Sequence, residues 1–205
     1  MATDSNKRRR TASAAAYDTL HITDLPIGFL TDAASYLSNP SRALFAVAMS
    51  APSTSWCQYN LVHRPSPATK AIVSSTQWET LDFDDIEAIE RRLAMKMSDD
   101  DIAAVLKCIN VKETVKRLKL AWCVNITGRG LNPLQGSVVL EQIDISLVGK
   151  YQLKEYGLES MIKVDVVLPI LDSIIAADGC VLKHIQFPRK WHGDSHNRNR
   201  YTTIE

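Results

Sequence analysis

The sequence predicts an α/β protein: a short N-terminal helical unit followed by a small, irregular array of parallel strands and helices. Three observations predict it. Apolar residues between Leu25 and Ser50 recur at helical spacing on either side of an Asn39-Pro40 break. From Trp78 onward, one six-residue pattern, apolar-x-x-apolar-x-apolar, occurs four times. The later strand candidates are preceded by helix candidates with start signals of their own.

The first helix begins at Asp24-Leu25-Pro26, where Asp24 is a capping residue and Pro26 falls in the first turn, which has no use for its missing N–H. Phe29, Leu30, Ala33 or Ala34, and Leu37 then form one apolar face, with Tyr36 placing its ring there and its hydroxyl in water. Pro40 ends this helix. Ser41 caps a second one, carrying Ala43, Leu44, Val47 and Ala48, and Ala51-Pro52 closes it. Residues 61–77, rich in Ser, Thr and Pro, read as a linker, and residues 1–19, poor in apolar groups, as a disordered tail. The units predicted are therefore the tail 1–19, helices 20–60, linker 61–77, a strand-and-helix domain 78–190, and a polar tail 191–205.

The four strand candidates are Trp78-Glu-Thr-Leu81-Asp-Phe83, Val115-Lys-Arg-Leu118-Lys-Leu120, Leu140-Glu-Gln-Ile143-Asp-Ile145 and Leu182-Lys-His-Ile185-Gln-Phe187. Ser98 with Asp99, Asp100 and Asp101 caps a helix carrying Ile102, Val105, Leu106 and Ile109, the acids sitting where the helix dipole favours them. Val164 to Ala177 supplies another helix, stopped by Asp178-Gly179, with Pro169 delaying or kinking it. The middle strand residues are 37, 25 and 42 positions apart, so extra loops are expected at Glu87–Met97 and Gly149–Gly157. Side-chain alternation then aligns two polar rows on the face opposite the core. One is Asp82, Lys119, Asp144 and Gln186, read as a self-paired ladder with Lys119 between acids. The other is Thr80, Arg117, Gln142 and His184; Arg117, His184 and nearby Trp122 have no partner written beside them.

Leu25-Pro26, Phe29-Leu30, Tyr36-Leu37, Pro40-Ser41 and Leu44 resemble the F-box in spacing. The repeated strand pattern resembles that of leucine-rich repeats. Leu118 to Leu131, with Cys123 just after the strand, is similar to the cysteine-containing subclass, which often follows an F-box. The resemblance implies a substrate-recognition adaptor of a cullin–RING ubiquitin ligase, without enzymatic activity of its own. Leu25, Pro26, Leu30, Tyr36, Leu37 and Leu44 would bind the ligase adaptor subunit, and through it the cullin complex. Arg117, Lys119, Trp122 and His184 on the repeat face would hold a substrate protein. The alternative is a leucine-rich-repeat scaffold with no ligase role, its helix pair serving as an N-terminal cap.

Composition sets the remaining expectations. A 205-residue chain that is 45% apolar and 23% charged can bury a core, and its net charge of +1 gives no reason to expect nucleic acid or a membrane as partner. No apolar run approaches the roughly 20 residues that span a bilayer. Four scattered cysteines without a C-x-x-C pair read as reduced intracellular thiols, and the Asn125-Ile126-Thr127 sequon as unglycosylated. Lys7 to Arg10 is a basic cluster of the kind nuclear import reads, so a nuclear or cytoplasmic location is expected. His184, His192 and His196 gather with Cys180 and Asp194 but lack the paired spacing of a zinc site. No phosphate-binding loop, G-x-S-x-G elbow or H-E-x-x-H helix occurs, and neither metal nor cofactor is expected.

Overall fold

The computed structural model describes residues 22–50, 65–85, 88–147, 161–188 and 191. The basic cluster at 7–10, the expected loop at 149–157, and His192, Asp194 and His196 lie outside these residues. In chain order the elements are α1 (Ile27–Ser35), α2 (Asn39–Ser50), α3 (Pro67–Ser74), β1 (Thr80–Asp82), α4 (Ala88–Ala94), α5 (Asp99–Cys108) and α6 (Val111–Thr114). There follow β2 (Arg117–Lys119), β3 (Gln142–Asp144), α7 (Val164–Ile175) and β4 (His184–Gln186), with short 3-10 turns at 22–24 and 129–134.

The four strands form one parallel sheet in the order β1-β2-β3-β4. Each pairs with the next along the chain, and the register aligns Leu81, Leu118, Ile143 and Ile185 in one row. A strand of three residues supplies too few ladder hydrogen bonds to hold itself, so burial of this row dominates. Leu81, Leu118 and Ile143 are at most 1% exposed, and each buried side chain of this size contributes about 1.5–3 kcal/mol. Phe83, Leu120 and Ile145 extend the row, and Ile102, Val105, Leu106, Leu131, Val167 and Leu171 from α5, the 129–134 turn and α7 complete the core.

Helix α5 begins as its sequence requires. The Ser98 hydroxyl accepts from the Asp101 N–H, and the Asp101 carboxylate accepts from the Ser98 N–H, a closed capping box. One residue into the helix, Asp99 reaches outward. Its carboxylate accepts from the N–H and hydroxyl of Thr127 at 2.9 and 2.7 Å, and from the N–H groups of Gly128 and Gly130 at 3.1 and 2.9 Å. Gly130 lies so close that a Cβ there would sit 2.7 Å from the Asp99 carbonyl oxygen. The sequon is part of this connection, since the Asn125 amide also donates to the Met95 carbonyl at 2.6 Å.

Several expectations are corrected. Residues 67–74, read as linker, form α3: Ser66 caps it by accepting from the Thr69 N–H at 3.0 Å, and Pro67 occupies the first helical position. The expected loop after Glu87 contains α4. Helix α2 starts at Asn39 rather than after Ser41, because Pro40 sits in its first turn, where no donor is needed, and the Arg42 N–H reaches the Ser38 carbonyl at 2.8 Å. Helix α7 starts before Pro169 and runs through it, held by buried Val167, Ile170, Leu171 and Ile174.

The helical unit has its own small core of Leu30, Ala34, Ala46, Met49, Ala68 and Ile72. Helix α2 belongs to both cores. Ala46 and Met49 face α1 and α3, while Ala43 is buried in the main core with Leu44 and Val47 packed against it. At the helix start, the Asn39 amide donates to the Thr80 carbonyl at 2.9 Å. The outer edge of β1 is thus covered by a helix, one of the ways in which natural sheets protect an edge.

Burial raises the Asp99 pKa, but the hydrogen bonds from Gly130, Thr127 and Gly128 outweigh it, and the net shift is downward. A depressed folded-state pKa gives stability that is present above the ordinary aspartate value near about 4 and lost as pH falls through the lower folded value. Asp99→Ala is expected to cost about 2 kcal/mol at neutral pH, since it leaves backbone donors without an acceptor at a partly exposed site. The gap between wild type and variant in urea unfolding should stay constant down to about pH 4 and close below it.

Candidate functional site

Two surfaces carry the residues singled out from sequence, and the structure sorts those residues into supports and exposed groups. On the helical unit, Leu30 is only 1% exposed and sits in the small core, so it holds α1 in place rather than meeting a partner. Leu25, Leu37 and Leu44 are half-buried, and Pro26 is exposed. The residues α1 turns outward are Phe29, 61% exposed, and Tyr36, 90% exposed. Phe29 was expected on the buried face with Leu30. It lies one residue, or about 100°, away, while Leu30 and Ala34 form the face that packs.

Phe29, Ala33 and Tyr36 recur at intervals of four and three residues, which places them in one stripe along the outside of α1 and its C-terminal cap. With apolar groups on both sides, α1 differs from an ordinary surface helix, whose outer face is polar. Around its lower edge, Leu37, Pro40 and Leu44 meet Phe83 and Leu93 in an apolar cavity of about 250 Å³.

On the sheet, the first polar row behaves differently from the expected ladder. Asp82 accepts from the Asp84 N–H at 2.8 Å, and Asp144 from the Ser146 N–H and hydroxyl at 2.9 and 2.6 Å. Each acid therefore turns back on the bend after its own strand, the local bonding that aspartate favours. Lys119 pairs instead with Asp84, at 2.9 Å, and that carboxylate is almost wholly buried. Burial would lower the Lys119 pKa, but the Asp84 hydrogen bond and the charges of Asp82, Asp84 and Asp144 outweigh it, and the pKa rises. Burial chiefly accounts for an upward shift at Asp82.

Trp122, expected to be free for binding, is 2% exposed. Its indole N–H donates to Asp84 at 3.2 Å, and the Arg91 guanidinium lies 5.7 Å from its ring centre. The backbone there has φ of +69°, in the left-handed region that a bulky residue seldom adopts. Trp122 and Lys119 are thus supports for Asp84, a residue that the strand pattern did not mark. Its signal was present: an acid follows β1 by two positions, where it can receive whatever the next strand brings.

Arg117 and His184 remain exposed, in one row with Thr80 and Gln142. One position earlier, Lys116 pairs with Glu79 at 2.8 Å, raising the lysine pKa and lowering the glutamate's. Among the described residues no three His, Cys, Asp or Glu side chains gather as metal ligands would, and no helix is long and apolar enough to cross a membrane. Burial pushes the Cys108 and Cys123 thiols to about 11 and 12, which keeps both protonated and poor nucleophiles at neutral pH. Comparison with known proteins adds no assignment: no family model, curated protein or solved structure matches the chain.

Substitutions separate the two classes of residue on α1. Phe29→Ala with Tyr36→Ala should change unfolding stability by less than about 0.5 kcal/mol each, as exposed sites do. Leu30→Ala should cost about 2–4 kcal/mol by urea titration.

Proposed function

We propose that this protein is a non-catalytic adaptor that joins two proteins, of the kind that F-box chains with leucine-rich repeats represent. Helix α1 docks on the adaptor subunit of a cullin–RING ubiquitin ligase, and the exposed row of the sheet, with Arg117 and His184, holds a substrate protein. The observation that carries this reading is the Phe29–Tyr36 stripe. An aromatic pair at 61% and 90% exposure stands on a helix whose opposite face is anchored by Leu30 and Ala34. Such rigidly held aromatic groups gain much by burial in a partner's groove and lose little side-chain freedom on binding.

One further observation favours a second reading. Asn39 and Ala43 seal β1, so the helical unit also serves as a cap for the sheet. The two roles use different faces, α2 inward and α1 outward, and a scaffold without a ligase role needs only the first.

Co-purification from cell extract tests the choice. The wild-type chain should retain the ligase adaptor subunit, and Phe29→Asp with Tyr36→Asp should lose it by at least about tenfold while unfolding at the wild-type urea concentration. Leu30→Asp is unsuitable for this purpose, since it places a charge in the small core. Recovery of no such subunit by the wild type, alongside a control F-box protein that does retain it, overturns the ligase role and leaves the scaffold.

A further inference from the structure

The two ends of the sheet are treated differently. The outer edge of β1 is covered by α2, whereas β4, at the other end of the order, has no described strand beyond it. In the parallel ladder the His184 N–H reaches the Glu141 carbonyl, and the Ile145 N–H reaches the Gln186 carbonyl. Residues 184 and 186 therefore face β3, and the N–H and C=O of Ile185 between them point the opposite way. His184 and Gln186 are exposed and Ile185 is half-buried, unlike its fully buried counterparts Leu81, Leu118 and Ile143.

Charge on this edge follows the order of the sheet. Directly before each strand stand Glu79, Lys116, Glu141 and Lys183, joined in sequence by backbone hydrogen bonds from each residue to the carbonyl of the one before. The signs alternate, and the Glu79–Lys116 contact is a 2.8 Å ion pair with Glu141 acting on Lys116 from the far side. Lys183 is the last of the series and is exposed. The next member of such a series is an acid.

We infer that the open edge of β4 accepts an extended, acidic segment of a partner protein as a fifth parallel strand, with a carboxylate beside Lys183 and an aliphatic side chain beside Ile185. Main-chain hydrogen bonds to Ile185 supply the register, and the alternate side chains supply the selection. A bare edge with a lysine on it resists casual pairing; here the same lysine discriminates, because an acidic strand relieves what a neutral or basic strand must leave exposed. The inference concerns the sheet edge alone and stands whether or not α1 docks on a ligase.

Amide hydrogen exchange of the full chain, followed by NMR, tests it with the capped peptide Val-Glu-Thr-Val-Thr-Val and its counterpart Val-Lys-Thr-Val-Thr-Val. The acidic peptide should slow exchange at Ile185 by at least about tenfold at saturation, since that amide gains a strand hydrogen bond. It should bind about fivefold more tightly than the basic one, and Lys183→Glu, an exposed substitution, should reverse the preference. Absence of protection at Ile185, or protection indifferent to peptide charge and to Lys183→Glu, overturns the inference. Protection already present in the free monomer would assign the edge to this chain's own residues outside the described ones, and protection that grows with protein concentration would assign it to a second copy. Either result also overturns it.

Discussion

The connection between Asp99 and the segment Thr127–Gly130 organises most of what surrounds it. One carboxylate, at the start of the helix that precedes β2, gathers four donors from the loop that follows β2. In a sheet whose strands have three residues each, strand pairing alone cannot decide how far one strand-and-helix unit is displaced from the next. The Asp99 connection ties two of these units together beside the buried row. It brings the 129–134 turn against α5, where Gly130 fits only because it lacks a side chain, and so positions Leu131 and Leu134 beneath the sheet.

From that fixed spacing the two surfaces follow. The apolar row of the sheet faces α5 and α7, and the polar residues that alternate with it face the other way. Where the polar row meets the bends after the strands, it is consumed internally. Asp82 and Asp144 hold their own turns, and Asp84 holds both Lys119 and Trp122. What stays available is the row one step earlier, with Arg117 and His184, because no bend lies close enough to turn back on it. Availability here is a consequence of position along the strand rather than of residue type.

The helical unit shows the same division. Helix α2 is buried on two sides and is the joint between unit and sheet; α1, one layer further out, is buried on one side only. Its aromatic stripe is therefore the most exposed apolar feature of the described residues, and the edge of β4, which no described strand covers, lies at the far end of the sheet.

Much of this was legible in the sequence. The apolar-x-x-apolar-x-apolar pattern placed all four strands and aligned their residues in the observed register, because a period of two admits one buried row and a shift by one residue would expose it. The Ser98 cap and the apolar runs of α5 and α7 were legible for the same reason: they are local, written within a few residues. Where tertiary contacts decide, the sequence was silent or misleading. Composition marked 67–74 as a linker, but Ile72 and Ala68 fill the small core and make it a helix. Helical spacing joined Phe29 to Leu30, and only the position of α3 decided which of the two turns inward. Lys119 was written between two acids and pairs with a third, because Asp84 lies beyond the strand on a bend whose path no periodicity describes. The sequence by itself determined the strands, their order along the chain and the buried row. The tertiary structure alone decided which polar and aromatic residues were left exposed, since that depends on what each side chain meets from elements distant in the chain.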